Sequence, residues 1–150
     1  MEKVNLLPGR PMPQGEVPWL APAAFAELSE RGQIIDTRPV EAFAGAHVPG
    51  SYSVWQGGLP RYGGAIADEE TPIYLVVEGP EALEAARLSL ARVGYDNVAG
   101  ALAGGIGAWR NAGREFDTLG MISPRELQAR RGDFAAVSYT HLTLPTIYSV

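Results

Sequence analysis

The 150-residue chain contains no cysteine. That excludes a disulfide, a thiolate-bound metal and a cysteine nucleophile together. Histidine is almost as scarce, with only His47 and His141, so no His/Asp metal centre can be drawn from the sequence. Twelve Lys and Arg stand against seventeen Asp and Glu, a net charge of -5. The basic residues are scattered, which argues against a nucleic-acid surface. No apolar run approaches the length needed to cross a bilayer. Met1-Glu2-Lys3-Val4-Asn5 lacks the charged stretch and apolar core of a signal peptide, so a cytoplasmic protein is expected, with no membrane partner. No metal or cofactor is expected either. What the chain does have is 46% hydrophobic residues, 18 Gly and 12 Pro. That composition suits one domain plus tails, with many turns and a core that needs no staple.

Residues 1–19 carry Pro8, Pro11, Pro13 and Pro18 with Gly9 and Gly15, and read as an extended linker or a free tail. Pro22 to Arg31 reads as a helix, stopped by Gly32, with Phe25 and Leu28 on its buried face. Gln33 to Arg38 reads as a strand, Pro39 to Gly45 as a helical turn, and Ser51 to Val54 as a second strand. Trp55 to Glu70, with Gly57-Gly58 and Gly63-Gly64, reads as a long surface loop. Pro72 to Val77 is the third strand. Glu81 to Val93 is the clearest helix, with Leu83, Ala86, Leu90 and Val93 on one face and Gly94 as its stop. A fourth strand ends at Leu102, and Gly104-Gly105 opens a helix over Ile106 to Asn111. Strands alternating with helices predict an α/β fold with a mainly parallel sheet covered on both faces.

The turn after the third strand, Val77-Glu78-Gly79-Pro80-Glu81-Ala82, is the first place to look for chemistry, because ligands sit at strand carboxyl ends beside helix N-termini. It offers little. Val77, Gly79 and Pro80 are unreactive, and Glu78 and Glu81 place negative charge where a helix start would otherwise attract anions.

Two blocks of sequence carry a resemblance. Asp36-Thr-Arg38 with Glu41-Ala-Phe43 and Gly45-Ala-His47-Val-Pro-Gly50 forms the first; Gly94-Tyr-Asp-Asn-Val98 with Gly104-Gly105-Ile106 and Ala108-Trp109 forms the second. In that order and separation they resemble a rhodanese-like domain over residues 20–116. The resemblance implies a five-stranded, mainly parallel core with helices on both faces. In active members a cysteine after the central strand carries sulfane sulfur as a persulfide, and the following loop wraps an anionic donor, usually with an arginine. Counting back from Gly94 sets Val77 at the cysteine position, or Glu78 if the loop is one residue shorter, and Ala82 near the arginine. Like charges about 5 Å apart repel by ~3 kcal/mol at an effective dielectric near 20, so Glu78 and Glu81 also oppose an anionic donor. In the family pattern Asp36, Arg38, Glu41, His47, Gly50, Gly94, Gly104, Gly105 and Trp109 read as structural.

The Pro-rich leader, the Gly-rich stretch after Trp55 and Gly94 to Gly100 look similar to the rhodanese-like modules that follow a metallo-β-lactamase-fold domain. Covalently linked partners are therefore expected: a metallo-hydrolase upstream and a second repeat downstream. Ile122-Ser-Pro124 repeats Leu20-Ala-Pro22, and Gly132 to Val137 parallels Gly32-Gln-Ile-Ile, so residues 117–137 read as the start of a truncated second repeat. In the first turn of that repeat Ser123 caps, with Glu126 completing a capping box. Val137-Ser-Tyr-Thr-His-Leu142 resembles a translated sequencing adapter, so residues 138–150 read as a non-native tail on a metagenomic gene cut short; a native β-rich tail is the alternative.

Three functions compete. The first is an inactive rhodanese-like module of a sulfur-metabolism fusion, with a structural or interaction role. The second is a sulfurtransferase whose cysteine lies in the missing repeat. The third is a binding module that holds a small cationic or neutral ligand with Glu78, Glu81 and Trp55, which requires a concave site at the 77–83 loop.

Overall fold

The computed structural model describes residues 15–67 and 70–134, in two compact units divided between Leu119 and Gly120. The first unit holds β1 (Trp19–Leu20), α1 (Pro22–Ser29), β2 (Gln33–Asp36), α2 (Val40–Gly45), β3 (Tyr52–Ser53), a 3-10 turn (Gln56–Gly58), α3 (Leu59–Ile66), β4 (Ile73–Val76), α4 (Pro80–Arg92), β5 (Val98–Leu102) and α5 (Gly105–Asn111). The strands form one five-stranded sheet in the order β1-β5-β4-β2-β3, and every pairing is parallel. The expected α/β fold with a parallel core is what the chain adopts.

Period-two alternation along the strands splits the core into two layers. Ile35, Ile73, Leu75, Val77 and Ala101 face α3 and α4, where they meet Leu59, Leu83, Ala86 and Leu90. Ile34, Tyr74, Val76 and Leu102 face the other way and meet Phe25 of α1 and Trp109 of α5. Phe25 stands edge-on to both Tyr74 and Trp109, with ring centroids 5.9 and 6.1 Å apart. All four residues of β4 are buried, as a central strand covered on both faces must be. At the head of α5, Gly104 and Gly105 have φ of +70° and +59°. Two consecutive left-handed residues demand glycine, and a Cβ at Gly104 would also come within 2.7 Å of the Ala108 side chain.

Three expectations need correction. Residues 55–70 are not a loop throughout: a 3-10 turn leads into α3. Leu59, Tyr62, Gly63 and Ile66 fall at helical spacing, Pro60 suits the first turn, and Gly63 lets α3 approach Leu90 of α4. Trp19 does not belong to a linker: Trp19 and Leu20 pair with Ala101 and Leu102 and supply the fifth strand. Residues 1–14 of the expected linker lie outside the described residues. Leu28 is exposed, because the buried stripe of α1 runs through Phe25 and Ser29, four apart, and leaves Leu28 on the flank.

The second unit contains α6 (Pro124–Ala129) and a 3-10 turn (Arg131–Asp133). Ser123 Oγ accepts the Glu126 amide at 3.1 Å, a side-chain N-cap. The Glu126 carboxylate pairs with Arg130 at 3.2 Å. The adapter-like residues lie outside the described part. Among the described residues no helix is long and apolar enough to cross a membrane.

Candidate functional site

Parallel strands bring the loops that follow β2, β3 and β4 to one edge of the sheet. Asp36 pairs with Ser53 on one side and Val76 on the other. Backbone bonds carry the register past the strand ends. The Thr37 amide donates to the Val76 carbonyl at 2.9 Å, the Val54 amide to Asp36 at 3.0 Å, and the Gln56 amide to Thr37 at 2.9 Å. These bonds fix the wall of a cleft of about 360 Å³, lined by Thr37, Pro39, Val40, Glu41, Trp55, Gln56 and Glu78. A larger hollow of about 680 Å³ includes Ser29, Gly32, Gln33, Tyr52 and Trp109 in its lining. Because Gln33 opens β2, that hollow reaches the opposite end of the strand from the loops just described.

The loop after β2 is tied down by charge. Arg38 Nη2 donates to Asp36 Oδ2 at 2.6 Å and to the Ala46 carbonyl at 2.8 Å, while Arg38 Nε donates to Asp36 Oδ1 at 2.9 Å. The Arg38 amide donates to the same carboxylate at 3.1 Å. Asp36 is fully buried and Arg38 is 8% exposed, so this is a bidentate ion pair inside the protein, and its guanidinium is not available to a ligand. Glu41 is exposed in the first turn of α2.

His47 and Gly50 sit on the far side of α2. The His47 ring stacks on Phe43 with centroids 3.8 Å apart, and Nδ1 donates to the Phe43 carbonyl at 2.9 Å. His47 and Asp117 exchange both backbone hydrogen bonds at 2.9 Å, and the Leu119 amide donates to Ala44. Gly50 turns the chain with φ +75° before β3, and Gly94 ends α4 with φ +97°. Trp109 is 5% exposed, and its indole Nε1 donates to the Glu115 carbonyl at 2.6 Å. His47, Gly50, Gly94, Gly104, Gly105 and Trp109 do not line the cleft.

The loop after β4 has the opposite character. Val77 is 4% exposed and belongs to the apolar layer between the sheet and α4. Glu78 is exposed at the cleft. Gly79 is extended, Pro80 opens α4, and Ala82 packs half-buried against the same apolar layer. Glu81 is exposed in the first turn of α4 and does not line the cleft. Further along α4, Arg87 hydrogen-bonds to Glu84, and that bond holds the Glu84 carboxyl below its usual value of 4.5.

Sequence reasoning did not single out Thr37, Val40 or Gln56. Thr37 was legible as the residue between Asp36 and Arg38, and Gln56 as the neighbour of Trp55, once β2 and β3 were paired. Gln56 carries the feature with no sequence signal: its side-chain Oε1 is buried with no hydrogen-bond partner. An unmet buried acceptor costs about 1–3 kcal/mol. Trp55 is 46% exposed, with one face laid over Gly58, where a Cβ would come within 3.0 Å of the ring.

The chain belongs to the rhodanese-like domain family, whose model matches residues 21–112. Among solved structures it is similar to a thiosulfate sulfurtransferase from Pseudomonas aeruginosa, at 25% identity and TM-score 0.57 over 75% of this chain and 23% of that one. It is also similar to the Alr3790 protein from Anabaena sp., at 21% identity and TM-score 0.56 over 69% and 96% of the two chains. The BH2092 protein from Bacillus halodurans aligns at 21% identity and TM-score 0.54 over 70% and 85%. No curated protein matches significantly.

Proposed function

We propose that this chain is a catalytically inactive rhodanese-like module that serves a larger sulfur-metabolism protein by packing or interaction. The observation that carries this is Val77. Where the family pattern sets its sulfur-carrying cysteine, this chain has a side chain absorbed into the apolar core, followed by an exposed carboxylate. A persulfide needs a thiolate open to solvent and a cationic or N–H-lined cradle. Here the chain has no thiol, Glu78 and Glu81 are negative, and Ala82 stands near the arginine position. The purified chain, given thiosulfate and cyanide, forms thiocyanate only at the rate of a heat-killed control; formation above that control overturns the reading. Val77→Cys stays inactive too, because the new thiol is buried in the apolar layer and the next residue is a carboxylate.

The wider setting is part of the same proposal: an upstream metallo-β-lactamase-fold domain and a downstream rhodanese repeat. The reappearance of Leu20-Ala-Pro22 as Ile122-Ser-Pro124, at the head of a helix in each unit, supports it. Genomic DNA read across the codons for Ala136-Val137 decides the point. Continuation into Asp-x-Arg and a cysteine loop supports the tandem enzyme, with activity in the second repeat. Native coding through Ser138 to Val150 removes the adapter reading.

A further inference from the structure

We propose that the cleft at the carboxyl end of the sheet is a receptor for an arginine side chain presented by a partner polypeptide. The inference rests on the reading that this cleft no longer handles a sulfur-bearing anion, and adds what it takes instead. Two observations converge. The first is charge. Glu41 and Glu78 line the cleft, and among the described residues neither is in an ion pair. No cation lines it. Arg38, next in chain to its wall, is spent on Asp36 and the Ala46 carbonyl, and Arg61 lies over the Tyr62 ring instead. The second is the surface of the lining. Trp55 and Val40 are 46% and 49% exposed, large apolar side chains left open at the rim of a charged cleft. Trp55 is braced from behind by Gly58 and by Tyr62, whose ring centroid is 5.5 Å away, so it is a rigid platform.

An arginine answers both. Its aliphatic stem covers Val40 and Pro39, its planar face stacks on the Trp55 indole, and its N–H groups supply donors to the two carboxylates. A lysine ammonium is a point charge without the planar stacking face. At about 360 Å³ the cleft lies at the low end of the ligand-pocket range of roughly 300–1,000 Å³, room for one side chain and not for a folded element. The apolar rim favours a residue carried on a peptide over a free guanidinium compound.

The test uses the full 150-residue chain labelled with nitrogen-15, with the Trp55 indole N–H signal identified by its loss in Trp55→Phe. The probes are acetyl-Gly-Arg-Gly-amide, the same peptide with lysine, the same with neutral citrulline, free guanidinium and thiosulfate. The expected result is saturable movement of the Trp55 indole and Glu78 amide signals with the arginine peptide. Affinity falls roughly tenfold for the lysine peptide, for free guanidinium, and in each of Glu41→Gln and Glu78→Gln. Both substituted carboxylates are exposed, so the folded spectrum persists. Equal binding of the citrulline peptide, equal affinity in both Gln variants, or no saturable movement overturns the proposal. Equal binding of free guanidinium overturns the polypeptide source. Saturable binding of thiosulfate at the same signals overturns the loss of anion handling, which is separate from the sulfur-transfer assay.

Discussion

Two loops leave the same edge of the sheet from neighbouring strands, and they have met opposite fates. After β2, Asp36 and Arg38 form a buried bidentate pair that also holds the Ala46 carbonyl. After β4, Val77 is sealed into the apolar layer and Glu78 stands in solvent. The first loop does structural work for the whole edge: it fixes the approach to α2 and, through Thr37 and Gln56, the path out of β3. The second is required only to turn a central strand into a helix, which Gly79-Pro80 does unaided. Removing chemistry from the β4 loop leaves the fold whole, whereas unpairing the β2 loop leaves a charge inside it. The fold makes its demand on the β2 loop, and the β4 loop, with Val77 in the core and no thiol in the chain, is free of it.

The contrast can be broken at its strongest point. Arg38→Met leaves the fully buried Asp36 carboxylate unpaired and lowers unfolding free energy in urea by about 3–5 kcal/mol. The double variant Asp36→Leu/Arg38→Met recovers most of that, because no orphan charge remains; if it does not, the pair has a role beyond mutual neutralisation. On the other loop, Val77→Ala removes two buried methyl groups and costs about 2 kcal/mol by the same measurement, whereas Glu78→Ala at the neighbouring exposed position changes stability by less than about 0.5 kcal/mol. Equal effects at 77 and 78 would mean that Val77 is not core. The smallest effect lies outside both loops. Arg87 depresses the Glu84 carboxyl, so the pair's contribution is complete above the usual carboxylate value of 4.5 and is lost as pH falls through the lowered value. Glu84→Gln therefore lowers Tm slightly at neutral pH, and the difference from wild type vanishes in acid; a difference that persists or grows below that range contradicts the assignment.

The sequence made the central architecture legible where its signals were long. The continuous apolar run of β4 and the helical spacing of Leu83, Ala86 and Leu90 in α4 needed no tertiary information. Short or diluted signals failed. Trp19-Leu20 makes a two-residue strand inside a Pro-rich stretch, and its only reason to be a strand is the neighbouring β5. In α3, Gly63 and Gly64 lower helix propensity, and packing against α4 overrides it. At the site, the missing cysteine was legible by counting, while the cleft was not. Its lining comes from three loops that only the register of β2, β3 and β4 brings together, and the unmet Gln56 oxygen leaves no trace in composition or spacing.

The antiparallel exchange between His47 and Asp117 gives the module a mechanical character. After α5 the chain turns back at Gly113 and is fastened to an earlier segment at His47 and Ala44. A pull transmitted from Leu119 therefore loads the loop beside α2 before it loads β5 or the central sheet. The fastening acts as strain relief, so tension from whatever follows is met at the periphery and the five strands stay in register until those few bonds have parted.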